Sequence, residues 1–507
     1  MVWELRISMD TYSSIIAGFS ESLQLSRLFY CLLGSFLGTI VGVIPGLGPS
    51  ATIALLLPIT FHMDTVSAII MLAGIYYGAQ YGGSTTSIMV NVPGESSSVV
   101  TCLDGYAMAR QGRAGPALGM AAFSSFIAGT FGVVVLMIVA IPLGEFALKF
   151  GPPEYFALML LGLTLVCYLG EKSFLKSMLM VCMGLFLGTV GLDALSGAER
   201  FTYGALVLQD GVGLVPVFMG MFGIAEVLSM IEKPLEQQVI EKPKGLFPTK
   251  KDWKDSGGAI ARGSVIGFFL GVLPGGGCTL ASIAAYVTEK KFSKHPEKFG
   301  KGAIEGVAAP EAANNSAASG SFIPLLTLGI PANVVTAMLL AALMLHGVVP
   351  GPMVINERPD LFWGVVTSMY VGNLMLLLLN LPLIGLFTTF LRTPYPILAP
   401  IILATCLIGA YSTNFSTGDV LVMTIAGGLG YLFRRMEFDV APLVLALVLG
   451  PQIEVALRQS LNINRGNVLV FFQRPISMVF MGVIILTILS PLIKTIYRKI
   501  SNRRQSI

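Results

Sequence analysis

Two stretches of this 507-residue chain gather polar side chains beside helix breakers. Residues 81–98 read YGGSTTSIMVNVPGESSS and offer Ser84, Thr85, Thr86, Ser87, Asn91 and Glu95, followed by serines. Residues 308–321 read AAPEAANNSAASGS and offer Glu311, Asn314, Asn315, Ser316 and Ser319. Asn333 and Thr336 follow a Gly-Ile-Pro break just downstream. Gly and Pro interrupt a helix and free backbone amides. The helix that starts again carries partial positive charge at its N-terminus, which favours an anion. Hydroxyls and side-chain amides add donors, while freed carbonyls and amide oxygens suit a sodium ion. No Lys or Arg stands at these breaks. The chemistry that fits is a carboxylate held by dipoles and neutral donors. For isolated serines and glycines, close helix packing is the plainer reading.

Such breaks need elements to hold them, and the composition says which. Hydrophobic residues make up 54% of the chain and charged residues 12%. A soluble domain carries roughly twice that charged fraction. Apolar stretches recur from Leu28 to Leu492 without period-two alternation, so they read as helices long enough, at about 20 residues each, to cross a bilayer. The net charge of +4 does not point to nucleic acid, and the basic residues sit in short loops as cytoplasmic loops do. The six cysteines are scattered singly, and His62, His295 and His346 lie too far apart in sequence to suggest a metal site. No phosphate-binding loop for ATP appears. No nucleophile, base and orienting group cluster in sequence, so an enzyme is not expected. The opening residues, with Glu4, Arg6 and Asp10, do not read as a cleavable signal. Within a span an acid is costly and usually functional. That makes Glu95 and Glu311 candidates for handling a coupling ion, sodium or a proton. Lys301 lies close enough in sequence for Glu311 to sit instead near the cytoplasmic surface.

The chain also repeats itself. GVIPGLGPSAT (42–52) matches GVLPGGGCTLAS (271–282), and NVPGESSSVVT (91–101) matches LGIPANVVT (328–336). GPPEYFALMLLG (151–162) resembles RTPYPILAPIIL (392–403), and the stretch ending in Glu226-Val227 resembles that ending in Glu454-Val455. The expected organisation is a first membrane repeat over 1–232, a cytoplasmic linker over 233–256 and a second repeat over 257–460. An extra C-terminal transmembrane helix and basic tail occupy 461–507. The linker region up to Arg262 and the segment 290–301 are both rich in Lys and belong on the cytoplasmic side. About 27 residues between Arg262 and Lys290 are too few for two crossings, which need about 40. A re-entrant hairpin is the economical solution, and 28–61 forms its counterpart. A broken crossing over 306–346 and spans at 361–391, 394–411, 415–433 and 440–457 then carry the second half to the opposite face. The loop with Lys172 and Lys176 matches the uncharged 412–417, and the loop with Glu199 and Arg200 matches that with Arg434 and Arg435, so equivalent loops differ in charge. The expected fold is therefore an all-α integral membrane protein with two inverted-topology repeats, re-entrant hairpins, broken helices and about 11 crossings.

Inverted repeats with broken helices place a solute near the midplane between the repeats. On that reading Gly46, Gly48, Ser50, Thr52, Gly275, Gly277 and Thr279 line the two hairpin tips. Ser84, Thr85, Asn91, Asn314, Asn315 and Asn333 complete a substrate pocket from the broken crossings.

The motifs GVIPGLGP (42–49) and GVLPGGG (271–277), the stretch YGAQYGGSTTSIMVNVPGESSSVVTCLDGYAMARQGRAGPALG (77–119) and APEAANNSAASGSFIPLLTLGIP (309–331) resemble the large membrane subunit of the tripartite tricarboxylate transporters, the TctA family. The resemblance covers nearly the whole chain. It implies a multi-pass permease of the bacterial inner membrane that works with a small membrane subunit and an extracytoplasmic, periplasmic solute-binding protein. It implies uptake of carboxylates such as citrate, driven by a sodium or proton gradient, without a cofactor and with elevator-like movement of one bundle. A passive channel or facilitator, and a membrane enzyme using the breaks as a pocket, are the competing classes.

The loop charges predict that a single cysteine introduced within 233–262 is shielded from a membrane-impermeant thiol reagent in intact cells and reacts once the cells are opened. Labelling in intact cells contradicts the topology.

Overall fold

A computed structural model of the chain describes residues 13–44, 47–170, 173–193, 195–232, 243, 245–390 and 395–489. The described residues are almost wholly helical. Their strands are two short segments, Gly191–Leu192 and Glu199–Arg200, paired antiparallel. Among the described residues seven helices are long and apolar enough to cross a membrane: Leu25–Val43, Thr101–Ala147, Pro152–Leu169, Leu214–Glu232, Pro359–Asn380, Pro396–Asn414 and Ala441–Ile463. Four shorter apolar helices, Pro49–Thr60, Phe174–Leu187, Val334–Leu345 and Pro475–Leu489, accompany them. A chain so built is a multi-pass membrane protein. The basic C-terminal tail and most of the 233–256 linker lie outside the described residues.

The chain divides into two compact units. One holds the described residues up to Leu148 together with Val212–Glu437, and the other holds Lys149–Gly211 and the described residues from Phe438 onward. Each unit draws on both halves of the sequence.

In the first unit, α1 (Leu25–Val43) and α2 (Pro49–Thr60) form a helical hairpin, followed by α3 (Thr65–Val90). After a break come α4 (Thr101–Met108), a π-turn at Ala109–Arg113 and α5 (Ala114–Ala147). The second half repeats the order. Helices α6 (Lys250–Val272) and α7 (Gly277–Phe292) form a hairpin, followed by α8 (Glu305–Gly320), α9 (Phe322–Leu328) and, after a break, α10 (Val334–Leu345). Helix α6 begins inside the stretch expected as linker, because Thr249 and Asp252 form a reciprocal capping box that starts it. Arg113 then pairs with Asp252 at 2.6 Å.

Helices α3 and α8 carry many Gly, Ser, Thr and Asn residues, yet they are the most deeply buried in the unit. Protein rather than lipid surrounds them, so polar side chains are tolerated there if they find partners. Glycine rows bring their neighbours close. Gly34, Gly38 and Gly42 of α1 lie against the backbone of Met71, Ile75 and Ala79 of α3, and a Cβ at any of the three would collide with it. Gly263, Gly267 and Gly271 of α6 lie in the same way against Ala309, Ala313 and Ala317 of α8. Both pairs use a four-residue spacing, one contact per helical turn.

The remaining helices show a reciprocal exchange. Leu214–Glu232, from the first half, packs on Tyr395–Asn414 and Thr417–Arg435, from the second, within the first unit. Ala441–Ile463, from the second half, packs on Pro152–Leu169 and Phe174–Leu187, from the first, within the other unit. Glycine makes each contact close: Gly220 lies against the Met423 carbonyl and Gly184 against the Leu443 carbonyl. An ion pair closes each group, Arg434 with Glu226 and Arg200 with Glu454. In the second unit Asp193 also meets Arg200 at 2.7 Å and Arg458 at 2.8 Å. The Ser196 hydroxyl and Arg458 hold the Asp193 carboxyl well below the usual carboxylate range, against the opposing effect of burial. Its lowered folded pKa means that this contribution is present above the unfolded carboxylate pKa and fades as the pH falls toward the folded value.

Replacing Gly38 or Gly267 by Val is expected to force the paired backbones apart and destabilise the protein by about 1–3 kcal/mol. Gly428→Ala, where a Cβ meets open space, should stay within about 0.5 kcal/mol. Thermal unfolding of the detergent-purified variants checks this; equal midpoints for all of them contradict the close-packing account.

Candidate functional site

The site grows from two breaks built on one plan. Helix α3 ends at Asn91 in left-handed geometry (φ 57°, ψ 28°), and α9 ends at Gly329 in nearly the same geometry (φ 69°, ψ 24°). A proline follows two residues later in each case, Pro93 and Pro331, and bars the helix from continuing. Two residues beyond each proline a new helical segment is capped. The Glu95 carboxylate accepts from the Ser97 amide at 2.9 Å, and the Ser98 hydroxyl accepts from the Glu95 amide. The Asn333 Oδ1 accepts from the Thr336 amide at 3.0 Å, and Thr336 Oγ1 accepts from the Asn333 amide at 2.9 Å. Glu95 and Asn333 thus hold equivalent cap positions.

The turn between α6 and α7 docks on the second break, and the end of α1 lies beside the first. The Gly275 amide donates to the Ala332 carbonyl at 2.9 Å, at a turn where Gly275 (φ 79°) and Gly277 (φ 57°) adopt conformations that favour glycine. Thr279 donates to Ser96 of the other half at 3.0 Å. Asn333 Nδ2 donates to the Tyr76 hydroxyl at 2.9 Å, and that hydroxyl lies 3.2 Å from the Cys278 sulfur. Ser97 donates to Gln80 Oε1 at 2.6 Å and also contacts the Glu95 carboxylate. Gly275, Gly277, Thr279, Asn333 and Glu95 are therefore gathered around the breaks. At the first hairpin, the Val43 carbonyl accepts from Thr86 at 2.7 Å, and Gly94 lies against the Gly42 carbonyl. Gly48 caps α2 and Ser50 is half-buried, while Thr52 donates to Gly48 of its own helix at 3.3 Å. No hydrogen bond found among the described residues joins Gly48, Ser50 or Thr52 to the polar cluster. Gly46 lies outside the described residues, and Asn91 is exposed.

Deeper in the unit sits a carboxylate. Glu311 is wholly buried on α8. It accepts from Ser84 of α3, from Thr101 at the start of α4 at 2.5 Å and from Asn314 at 3.2 Å. Asn315 donates to the Asn314 side chain at 2.6 Å and to the Glu311 carbonyl at 3.2 Å, so it orients the residue beside the acid. Thr85 is buried on the same stretch of α3. Ser84, Asn314, Asn315 and Glu311 are thus brought together, and the two halves meet through them. Among the described residues Glu311 has no cationic partner. A buried carboxylate is tolerated only when donors surround it, and here the donors are neutral.

Several participants were not singled out from the sequence. Tyr76 and Gln80 stand eight and four residues before Ser84 on α3 and so share its helical face, a spacing that could have exposed them. Thr101 and Asp104 share a face of α4 in the same way. The buried Asp104 carboxylate accepts from the amides of Gly300 at 2.9 Å, Gly302 at 2.8 Å and Ala303 at 2.8 Å, and from the Tyr286 hydroxyl at 2.9 Å. It ties α4 to the loop that leads into α8. Chemically, the starts of α7 and α10 with their hydroxyl and amide donors can hold an anion. The Glu311 cluster can take up a proton or face a cation.

Thr101→Val keeps the shape and removes one donor to Glu311, so it should cost about 1–3 kcal/mol of stability at neutral pH, whereas Thr101→Ser should cost much less. Thermal unfolding of the two variants decides it; equal destabilisation would assign Thr101 to packing rather than to the carboxylate.

Comparison with known proteins agrees with this architecture. A family model described as the tripartite tricarboxylate transporter TctA family matches residues 28–445. The chain is 50% identical over 492 residues to an uncharacterized 52.8 kDa protein in the TAR-I ttuC' 3' region of Agrobacterium vitis, covering 97% of this chain and 98% of that one. It is also 50% identical over 233 residues to an uncharacterized protein in the TAR-II ttuC' 3' region of the same organism, covering 46% of this chain and 96% of that one. No solved structure matches. The chain belongs to the tripartite tricarboxylate transporter TctA family.

Proposed function

We propose that this chain is the large membrane subunit of a secondary active importer for tricarboxylates or related small carboxylates of the citrate type. It acts in the bacterial inner membrane with a small membrane subunit, is fed by an extracytoplasmic solute-binding protein, and is driven by a sodium or proton gradient. The observation that carries the reading is the pair of matched helix breaks, one from each half, next to a buried carboxylate that joins the halves. Breaks of this kind supply helix starts and neutral donors without a fixed cation, which suits reversible binding of a carboxylate.

The substrate contacts in this reading are Gly275, Gly277, Thr279 and Asn333 around the docked second hairpin, and Ser84, Thr85, Asn91, Asn314 and Asn315 along the broken helices. Gly46, Gly48, Ser50 and Thr52 contribute from the first hairpin. Glu95 and Glu311 serve the coupling ion, since an acid beside an anion site is favourable only when protonated or partnered by a cation. An inverted repeat of about 11 crossings is supported by the two equivalent glycine rows and by the reciprocal exchange of the Leu214–Glu232 and Ala441–Ile463 helices. A symmetric pair of hairpins and breaks is what alternating access requires.

Reconstitution in liposomes with the small subunit and the binding protein tests the reading. Uptake should be concentrative, should collapse with the ion gradient and should continue without ATP. Gly275→Val should abolish it, because valine is strained at φ 79°. Asn315→Ala should weaken apparent affinity about 5- to 150-fold, while Gly428→Ala transports like the parent. Uphill uptake on ATP alone, or purely downhill flux, overturns a gradient-driven carrier; normal transport by both site variants moves the pocket elsewhere.

A further inference from the structure

Beside Ser84 lies a small cleft that shares Ser84 and Thr85 with the substrate contacts proposed above and adds the polar residues Tyr81, Ser125 and Asn380. Its cavity volume is about 10 Å³, and its polar lining is Tyr81, Ser84 and Thr85 of α3, Ser125 of α5 and Asn380 at the end of the Pro359–Asn380 helix. Tyr81 and Asn380 are 3% and 4% exposed. Among the described residues the Tyr81 hydroxyl oxygen and the Asn380 Oδ1 have no hydrogen-bond partner, although Asn380 Nδ2 donates to the Leu376 carbonyl at 2.9 Å. Buried polar atoms in folded proteins nearly always have partners. Two orphaned oxygens on one small cleft mark positions built for something that binds there.

The surrounding charge decides its sign. No Lys, Arg or His lines the cleft, and Ser84 donates its proton to the buried Glu311 carboxylate. A cation among Tyr81, Ser125 and Asn380 would be drawn to that acid and to a carboxylate held at Ser84 and Thr85, whereas a second anion would be repelled by both. Ser84 has its lone pairs left for a cation once its proton is engaged. The donor set is neutral oxygen throughout, with one carboxylate behind it. Hard divalent ions are usually held by more carboxylates or retained waters, and soft metals by sulfur or imidazole; an alkali-metal ion matches this set.

We propose that the cleft binds a sodium-sized monovalent cation through the oxygens of Tyr81, Ser84, Thr85, Ser125 and Asn380, with Glu311 as its charge partner one hydrogen bond away. As the coupling ion its role rests on the carrier reading above. Glu311 also holds Thr101, which opens the helix after the first break. A cation in the cleft therefore steadies the same hydrogen bonds that position that break.

Binding of radiolabelled sodium to the purified chain, at constant ionic strength maintained with choline, tests the site. The wild type should bind sodium saturably. Asn380→Leu should weaken binding about tenfold or more, as loss of one buried ligand does. Tyr81→Phe, which removes only a hydroxyl, should weaken it too, with the thermal midpoint in choline close to that of wild type. Absence of saturable sodium binding in the wild type, or unchanged affinity in both variants, overturns the site. Carboxylate uptake on a proton gradient alone, with no sodium bound, leaves the carrier standing and removes the cleft. Sodium binding that the variants weaken, in a protein that moves no carboxylate, does the reverse.

Discussion

The structure turns on a carboxyl group buried with no cationic partner among the described residues. Glu311 sits on α8 with no exposed surface, and its oxygens are met by Ser84, Thr101 and Asn314. Each donor comes from a segment that could have been an ordinary apolar span. To deliver them, α3 must cross beside α8, and the chain after Asn91 must turn so that Thr101 begins a helix at the same spot. A carboxylate in such a place is poorly solvated and is sensitive to any cation or proton that reaches it. A static membrane scaffold gains nothing from that sensitivity; a coupled carrier requires it.

Close approach of backbones makes the arrangement possible. The glycine rows of α1 and α6 bring α3 and α8 against their hairpin partners with no side chain between. Inside lipid the hydrophobic effect does not drive helices together, so contact of this kind and hydrogen bonds between helices supply the cohesion. Asp104 adds a second tie, because its carboxylate gathers three amides of the Gly300–Ala303 turn and the Tyr286 hydroxyl. Thr101 and Asp104 together fix α4 at both of its contacts with the second half.

Much of this was legible in residue types. Gly and Pro announced the hairpin tips and both breaks, and the matched segments NVPGESSS and GIPANVVT fold into the same left-handed turn, proline and cap. Ser84, Asn314, Asn315 and Glu311 were visible as polar residues where lipid-facing helices have none. The stretch 28–61 holds the helices α1 and α2, and the residues at 45–46 between them lie outside the described residues. Other features were not legible, for a physical reason. The swap of Leu214–Glu232 and Ala441–Ile463 between helix groups depends on which apolar faces fit, and Leu, Val and Met carry little partner information. Tyr81 and Asn380 lie about 300 residues apart in the sequence, so only the three-dimensional arrangement shows that they line one cleft. That α6 begins at Lys250, within the linker, depends on the Thr249 and Asp252 capping box, whose two residues stand among lysines in the sequence.

In the proposed carrier, the buried Glu311 couples ion to solute. Glu311→Gln preserves shape and removes the charge. The direct measurement is the steady-state accumulation ratio of labelled carboxylate in liposomes holding the complete transporter under an imposed ion gradient, with carboxylate binding to the same purified variant measured in parallel. The account predicts that the variant still binds carboxylate but accumulates none, its internal concentration settling at the external one. Accumulation by Glu311→Gln to the wild-type ratio would contradict it.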